Sequence, residues 1–414
     1  MTTRLLIGRA LSALATALIP TTLTLAVLRS DASDLGLVLA AELLPMLLLL
    51  PVGGVLADRL RPERVALAAD LVRCLSQLAI GLELVLGVYR VADLAVLSAV
   101  AGAAIAFGMP AVPRLVVGVA AEHERLRVNA RIGVATSLSA VAAPALAGGV
   151  ALAAGPGWAA LLTALLYACS ALTLGGVRTK LQPPAGTPGG VRTTLQHPAE
   201  VRTRRFTADL KEGWQEVRHR PWFLTSVLGH GVWHFAAGLF LTLGPLAVTK
   251  AAGEAGWVLI VQCGTAGMVA GVFTAPRLPI RRPLVVVQVS AALYLLPMAA
   301  LAAGAPMPLI AAAYGVAMFG LGLLSPLWET AVAAEIPEAA LGRVRSFDQL
   351  ISFASRPLGL AVALPLAGVA GSTPLLLTAG ALVAAANLAA VVRIPGARPP
   401  ATPRHRSPAP DRPA

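Results

Sequence analysis

The chain has 414 residues, of which 57% are hydrophobic and only 13% are charged, and its formal net charge is +13. Soluble domains carry about 25% charged residues and disordered chains have low hydrophobicity, so the composition excludes both classes. Each of the three cysteines lies in an apolar run, which excludes a secreted disulfide scaffold. The remaining class is a helical protein that crosses a membrane several times.

Twelve segments have the roughly 20 apolar residues that a helix needs to cross a bilayer. In chain order they lie near 5–28, 35–57, 64–87, 92–117, 128–154, 157–177, 221–249, 254–275, 283–304, 307–333, 343–370 and 372–393. The first resembles a signal peptide, with Arg4 and Arg9 before an apolar run, but its length indicates a retained helix. The connection at 155–157 is so short that the spans on either side must be antiparallel neighbours.

The basic residues indicate how the spans are oriented. With the N-terminus in the cytoplasm, 28 of the 33 Lys and Arg residues fall in cytoplasmic segments. Three (Arg29, Arg90 and Lys250) fall in outer loops, and two (Arg73 and Arg356) fall within spans. This distribution follows the positive-inside rule and predicts that both termini are cytoplasmic. The net charge therefore reports topology, and we expect no nucleic-acid partner.

One long interruption divides the spans into two groups of six. Residues 178–220 are rich in Pro, Gly and Arg, which predicts a flexible cytoplasmic linker that ends in a short amphipathic helix near 206–217. The predicted domains are an N-terminal six-helix bundle at 1–177 and a C-terminal six-helix bundle at 221–393. Residues 394–414 are predicted to form a disordered cytoplasmic tail.

The two groups of spans carry a weak internal repeat. The sequence Val-Ala-Ala-Glu occurs at 119–122 and again at 332–335, which is an offset of 213 residues. Pro144 and Pro357 are separated by the same offset. Parallel six-span repeats with a binding site between them are typical of many secondary transporters.

The second span is followed by Gly-Gly-Val-Leu-Ala-Asp-Arg-Leu-Arg-Pro-Glu-Arg. This segment resembles the loop motif Gly-x3-Asp-Arg-x-Gly-Arg-Arg of the major facilitator superfamily, with matches at Gly54, Asp58 and Arg59. Arg61 replaces a glycine of the motif, and the basic cluster is displaced to Arg64. The resemblance implies an all-α membrane fold of twelve helices in two six-helix repeats. It also implies that these residues lock a cytoplasmic gate.

Further motifs resemble the drug and siderophore exporter branch of that family, which contains macrolide efflux proteins and the enterobactin exporter. They are the segments at 70–73, 107–111 and 335–337. Pro144 and Gly148 in span five resemble an antiporter motif, Gly-Pro-x-x-Gly-Gly, that bends this helix in the family. Their counterparts in span eleven are Pro357 and Gly359. The alternative for these residues is ordinary packing of small side chains between helices.

Ionisable residues inside a bilayer are costly, so each is a functional candidate. Glu42, Asp70 and Arg73 are candidates for proton coupling. The alternatives are a local ion pair for Asp70 and Arg73, which share a helix face, and contact with lipid head groups for Glu42. Arg114 and Glu329 lie near the inner ends of spans four and ten, and we predict that they pair across the halves when the inner gate is shut.

Span seven carries three residues on one face that are candidates for lining a substrate cavity: His230, Trp233 and His234. His230 is also a proton-coupling candidate because histidine titrates near neutral pH. Packed, hydrogen-bonded histidines are the alternative. Phe319 and Arg356 complete the cavity candidates, and Arg356 either meets an anionic ligand or extends towards the head groups.

Together these patterns predict a secondary active transporter that exports a hydrophobic or amphipathic small molecule by proton antiport. We expect a monomer in the bacterial cell (inner) membrane whose partners are its substrate, protons and the lipid bilayer. No metal or cofactor is expected, since the chain has neither a His-Glu-x-x-His motif nor a Gly-x4-Gly-Lys phosphate loop, and no catalytic constellation indicates an enzyme. The alternatives are an importer, an uncoupled facilitator or a membrane sensor that transports nothing.

Overall fold

The computed structural model describes residues 2–29, 34–88, 90–121, 124–177, 214–336 and 338–394. Their regular structure is helical throughout, as the sequence predicts. The main helices, in chain order, are α1 (Thr2–Leu28), α2 (Leu35–Arg59), α3 (Pro62–Leu86), α4 (Val91–Val119), α5 (Arg125–Ala154), α6 (Pro156–Gly175), α7 (Pro221–Thr274), α8 (Pro283–Ala292), α9 (Leu295–Ala302), α10 (Met307–Glu335), α11 (Glu338–Ala370) and α12 (Ser372–Val391). A 3-10 turn follows α7 at Ala275–Arg277, and 214–218 form one more helical segment.

Ten helical stretches of the described residues are long and apolar enough to cross a membrane. One of them, at Pro221–Arg277, has 57 residues and is long enough for two crossings, since a crossing needs about 20 residues. The apolar part of α2, at Leu35–Leu50, is shorter than the other candidate spans. With α2 included and the long stretch counted twice, the helices match the twelve predicted segments.

The structure adds detail to three predicted spans, the seventh, eighth and ninth. The seventh and eighth spans both lie within α7 and are separated at Gly253, in the predicted gap between 249 and 254. The φ of Gly253 is 72°, which is left-handed and interrupts the helix. Glycine tolerates this conformation because it has no Cβ. The ninth span is divided into α8 and α9 by a turn at 293–294.

Each half of the chain has its own hydrophobic core. The largest cluster of buried apolar side chains lies between Val217 and Val383. The clusters of the first half lie between Leu5 and Val177, and among the described residues Leu360 of α11 is the one buried residue from the second half that joins them. The predicted domain limits remain a prediction, because 178–213 and 395–414 are outside the described residues.

Apolar side chains also cover the outside of the helices. Large aliphatic residues that are strongly exposed include Leu48, Leu75, Leu172 and Val369. Lipid tails are as apolar as these side chains, so this surface suits a bilayer rather than water.

Candidate functional site

A buried ion pair lies at the centre of the first half. Asp70 and Arg73, one turn apart on α3, are in direct contact. The Asp70 carboxylate also accepts hydrogen bonds from Ser12 Oγ of α1 at 3.1 Å and from Ser170 Oγ of α6 at 2.6 Å. The local ion pair that the sequence allowed is therefore present, and it is embedded in a network that joins three helices.

Arg73 extends this network on its other side. Its Nη1 donates to Thr16 Oγ1 at 3.1 Å and to Tyr167 OH at 3.3 Å. The guanidinium carbon lies 4.6 Å from the centroid of the Tyr167 ring. Glu42 of α2, which is only 8% exposed, interacts electrostatically with both Arg73 and Tyr167. Glu42 therefore does not reach outwards to the head groups.

The structure thus brings three of the four proton-coupling candidates, Glu42, Asp70 and Arg73, into one cluster, while His230 lies in the other half. The sequence interpretation missed the hydroxyl partners of the ion pair, which are Ser12, Thr16, Tyr167 and Ser170. The sequence did contain a sign of these partners. Ser12 and Thr16 are four residues apart on α1, and Tyr167 and Ser170 are three residues apart on α6. That spacing places each pair on one helix face.

The candidate face of α7 packs within the second half. The His230 ring lies 4.9 Å from the Trp328 ring in an edge-on arrangement. The Trp328 Nε1 donates to the Asp348 carboxylate at 2.7 Å. The His230 Nε2 is buried and has no hydrogen-bond partner among the described residues. Neither Trp328 nor Asp348 was identified from the sequence.

Arg356 lies beside this face, inside the second half. Its guanidinium carbon is 6.0 Å from the centroid of the Trp233 ring, and Trp233 is also in edge-on contact with His234. Arg356 interacts electrostatically with Tyr294 and Tyr314, two buried residues that the sequence interpretation missed. The Arg356 side chain therefore points into the bundle rather than towards the head groups.

Phe319, the remaining cavity candidate, is half-buried on α10. Its carbonyl oxygen packs so closely against α7 that a Cβ added at Gly271 would lie 2.1 Å from it. This contact places Phe319 against the part of α7 that follows Gly253, whereas the histidine face belongs to the part that precedes it. A role for Phe319 in substrate binding remains a prediction.

The predicted gate motif forms helix ends rather than a long loop. Gly54, Asp58 and Arg59 belong to the last turns of α2, and their side chains are outside the described part of the structure. Arg64 is exposed near the start of α3. Arg114 of α4 and Glu329 of α10 were predicted to pair when the inner gate is shut. Arg114 is half-buried and Glu329 is exposed, and their pairing remains a prediction.

The proline–glycine motifs lie where helices approach closely. Pro144 and Pro357 are buried inside the continuous helices α5 and α11. A Cβ at Gly148 would lie 2.6 Å from Val258 of α7, across the two halves, and a Cβ at Gly359 would lie 2.2 Å from the Phe235 carbonyl oxygen. Close packing of small residues is therefore present at both motifs.

An ion pair that was not predicted joins the two halves. Arg29, just after α1, forms a two-pronged pair with Glu254 of α7, with Nε–Oε1 and Nη2–Oε2 distances both 2.7 Å. Arg29 Nη2 also donates to the Ala151 carbonyl of α5 at 3.0 Å. The hydrogen bond to Glu254 raises the pKa of Arg29, which therefore stays charged at any working pH. The sequence interpretation counted Arg29 only as a basic residue of an outer loop.

Comparison with known proteins adds a family and one curated relative. The sequence model of the Major Facilitator Superfamily matches residues 5–360. The multidrug efflux pump Tap of Mycolicibacterium fortuitum is 27% identical over 360 residues, which cover 82% of each chain. The family and the compared proteins are transporters rather than enzymes.

Solved transporter structures have the same fold. A peptide transporter of the POT family in an auto-inhibited state has a TM-score of 0.72 at 14% identity, with 95% of this chain and 96% of that chain covered. A nucleoside transporter has a TM-score of 0.69 at 13% identity, with coverage of 95% and 98%. A D-xylose–proton symporter has a TM-score of 0.68 at 14% identity, with coverage of 95% and 97%. At these identities the likeness concerns the fold alone.

Proposed function

The chain belongs to the major facilitator superfamily, and we propose that it exports a hydrophobic or amphipathic small molecule in exchange for protons. Its multi-pass helical fold and its family membership make it a membrane transporter of small molecules. The direction and the substrate class are supported by the relationship to a multidrug efflux pump. The observation that carries the proton coupling is Glu42, a buried carboxyl group beside the Asp70–Arg73 pair.

Within this cluster we assign the exchangeable proton to Glu42. The Asp70 carboxylate is engaged by Arg73 and two serine hydroxyls, so removing its charge would break a complete network. Glu42 interacts with Arg73 electrostatically and makes no direct ion pair with it among the described residues. A proton on Glu42 would therefore change the field at Arg73 without breaking a hydrogen bond.

Coupling requires that the proton and the substrate stabilise different states of the transporter. The Arg29–Glu254 pair and the contact between Gly148 and Val258 support a state in which the halves are closed at one end. We place this end outside the cell because few basic residues lie there, with both termini in the cytoplasm. The opposing inner gate would use the residues of the predicted gate set, Gly54, Asp58, Arg59, Arg64, Arg114 and Glu329. The proposed setting is a monomer in the bacterial inner membrane.

The test is uptake of lipophilic dyes and antibiotics into everted membrane vesicles, with and without a pH gradient. The wild type is compared with Glu42→Gln and with Asp93→Asn, which neutralises an exposed acid at the start of α4. We expect gradient-driven uptake in the wild type and Asp93→Asn, and its loss in Glu42→Gln. Uptake that is the same with and without the pH gradient would indicate a facilitator. Movement of the compound out of the everted vesicles, which corresponds to uptake by the cell, would indicate an importer. If no compound moves and deletion of 395–414 abolishes the cellular phenotype, a sensor would replace the transporter.

A further inference from the structure

We propose that the second half contains a binding site for the carboxylate of an aromatic, acidic substrate, centred on Arg356 and framed by Trp233, Tyr294 and Tyr314. The proposal deepens the exporter assignment by naming the chemistry of the transported molecule. It rests on that assignment for transport, but binding itself can be measured separately.

Arg356 places a positive charge inside the second half. Arg356 lies near the middle of α11, and its buried Nε has no hydrogen-bond partner among the described residues. A guanidinium within a membrane-spanning helix is costly and normally pairs with an acid. Arg356 has no ion pair with an acid of the described residues, so a negatively charged ligand would supply the missing partner.

The neighbouring ionisable groups do not supply that negative charge. The groups that interact electrostatically with Arg356 are His234 of α7, Tyr294 between α8 and α9, and Tyr314 of α10. The acid on the same helix, Asp348, is eight residues earlier, which is about 12 Å along an α-helix. Asp348 already accepts hydrogen bonds from Trp328 Nε1 and from Ser352 Oγ.

Aromatic side chains lie close to Arg356. The Trp233 ring lies 4.8 Å from the Tyr294 ring, and the Tyr294 ring lies 6.4 Å from that of Tyr314. Tryptophan and tyrosine rings pack against flat apolar surfaces, and these three rings belong to the buried core cluster of the second half. The planar guanidinium can hold both oxygens of one carboxylate. The group that fits this combination is an aromatic ring that carries a carboxylate.

This set also separates substrate recognition from proton binding. Arg356 and its aromatic neighbours belong to α7–α11, whereas Glu42, Asp70 and Arg73 belong to α2 and α3. A substrate carboxylate at Arg356 would leave the proposed proton carrier unoccupied. Proton and anionic substrate therefore do not compete for the same side chain, and binding at Arg356 should persist in Glu42→Gln.

The experiment measures equilibrium binding to the purified full-length protein in lipid nanodiscs, without any gradient. Two radiolabelled probes with the same ring system are used, 1-naphthylacetate and its uncharged analogue 1-naphthylacetamide. We expect the wild type to prefer the carboxylate and Arg356→Gln to bind it about tenfold or more weakly, because a charged hydrogen-bond partner is lost. Amide affinity should be unchanged. Arg356→Lys should retain part of the preference, and Arg393→Gln, which changes an exposed arginine after α12, should retain all of it.

Three results would overturn the proposal: equal affinity of the wild type for the two probes, no binding of either probe, or full carboxylate preference in Arg356→Gln. Should Arg356→Gln fail to fold, Arg356→Lys decides, since unchanged affinity with lysine would show that the planar guanidinium is not recognised. Loss of vesicle transport with intact binding would contradict the exporter assignment alone. Transport of compounds without any acidic group, together with no carboxylate preference, would contradict this proposal alone.

Discussion

Asp70 and Glu42 are both buried acidic residues of the first half, but only Asp70 has a direct ion pair among the described residues. We therefore expect Asp70 to stabilise the fold and Glu42 to exchange a proton. Asp70 is fully buried and pairs with Arg73, while Ser12 and Ser170 donate to its two oxygens. Replacing one member of a buried pair leaves the other charge without compensation, which costs about 3–5 kcal/mol. We expect Asp70→Asn to lower the free energy of unfolding by about that amount.

Chemical denaturation of the purified protein, followed by tryptophan fluorescence, measures this loss. The double variant Asp70→Asn/Arg73→Gln should recover part of the stability, because it leaves no isolated charge. A double variant that is less stable than Asp70→Asn alone would show that the ion pair does not hold α3 in place.

Glu42 should behave in the opposite way. Its carboxyl group is buried and interacts with Arg73 without a direct ion pair among the described residues, so neutralising it removes a desolvated charge and breaks no hydrogen bond. We expect Glu42→Gln to lower the free energy of unfolding by much less than Asp70→Asn does, because no direct ion pair or hydrogen bond of the described residues is broken. The same denaturation experiment checks this difference. A loss as large as that of Asp70→Asn would make Glu42 a structural residue.

At the scale of helices, small residues set how closely the two halves approach. A Cβ at Gly148 of α5 would lie 2.6 Å from Val258, whereas a Cβ at the adjacent Gly149 would meet nothing within 4 Å. Overpacking of this kind typically costs about 1–3 kcal/mol. We therefore expect Gly148→Ala to lower the thermal stability and to slow dye uptake severalfold, and Gly149→Ala to change neither.

The two glycine variants are matched because they change neighbouring positions of one helix in the same way. Melting temperature in nanodiscs and initial uptake rate in vesicles are the two measurements. Equal effects of both variants would mean that helix propensity, and not the contact with α7, determines the result.

Helix positions were largely predictable from the sequence, since membrane crossing requires long apolar runs that are visible without a structure. The predicted start of α2 at Leu35 and end of α11 at Ala370 agree with the structure. The sequence also predicted the separation of spans seven and eight between residues 249 and 254, and the structure places the break at Gly253. That one glycine in a left-handed conformation suffices for this break was not visible in the sequence.

The candidate site was less predictable than the helices. A charged residue in an apolar run is visible in the sequence, so Glu42, Asp70, Arg73 and Arg356 were identified. Their neutral partners, such as Tyr167 and Tyr314, were not, because an uncharged side chain in an apolar run shows no sign of its partner until distant helices pack together. The Arg29–Glu254 pair spans 225 positions, and sequence spacing does not indicate contacts over that distance.

At the scale of the whole molecule, separate cores make movement of one half against the other physically reasonable. The largest apolar cluster lies within the second half, and Leu360 is the buried second-half residue that joins the first-half clusters among the described residues. Separating the halves therefore disturbs the packing around Leu360 and leaves the rest of each core intact. Rigid-body rocking of repeats around a central site is the usual basis of alternating access. The contacts that must break are then the few that cross between the halves.

The Arg29–Glu254 pair is one such contact, and its removal should favour the state that is open at this end. The pair is partly exposed, and such pairs contribute about 0.2–1 kcal/mol. We expect Arg29→Gln or Glu254→Gln to raise the open population by up to about fivefold. Labelling of Val150→Cys with a thiol reagent reports this change, because Val150 and Val258 both pack against the small apolar cluster of Leu25, Ala151 and Ala159, where the two halves meet. The three native cysteines are first replaced by serine.

A reversed pair separates a specific bond from a general charge effect. Arg29→Glu combined with Glu254→Arg should return the labelling rate towards that of the wild type, whereas either reversal alone should increase it further, because two like charges would then face each other. Arg90→Gln removes an exposed basic residue between α3 and α4 and should leave the rate unchanged. High salt should reduce the difference between Arg29→Gln and the wild type, since screening weakens a partly exposed pair. Labelling that is the same in the wild type and in all of these variants would mean that the pair does not hold the halves together. Closure would then depend on apolar contacts between the halves, such as those of Gly148 with Val258 and of Leu360 with the first-half cluster.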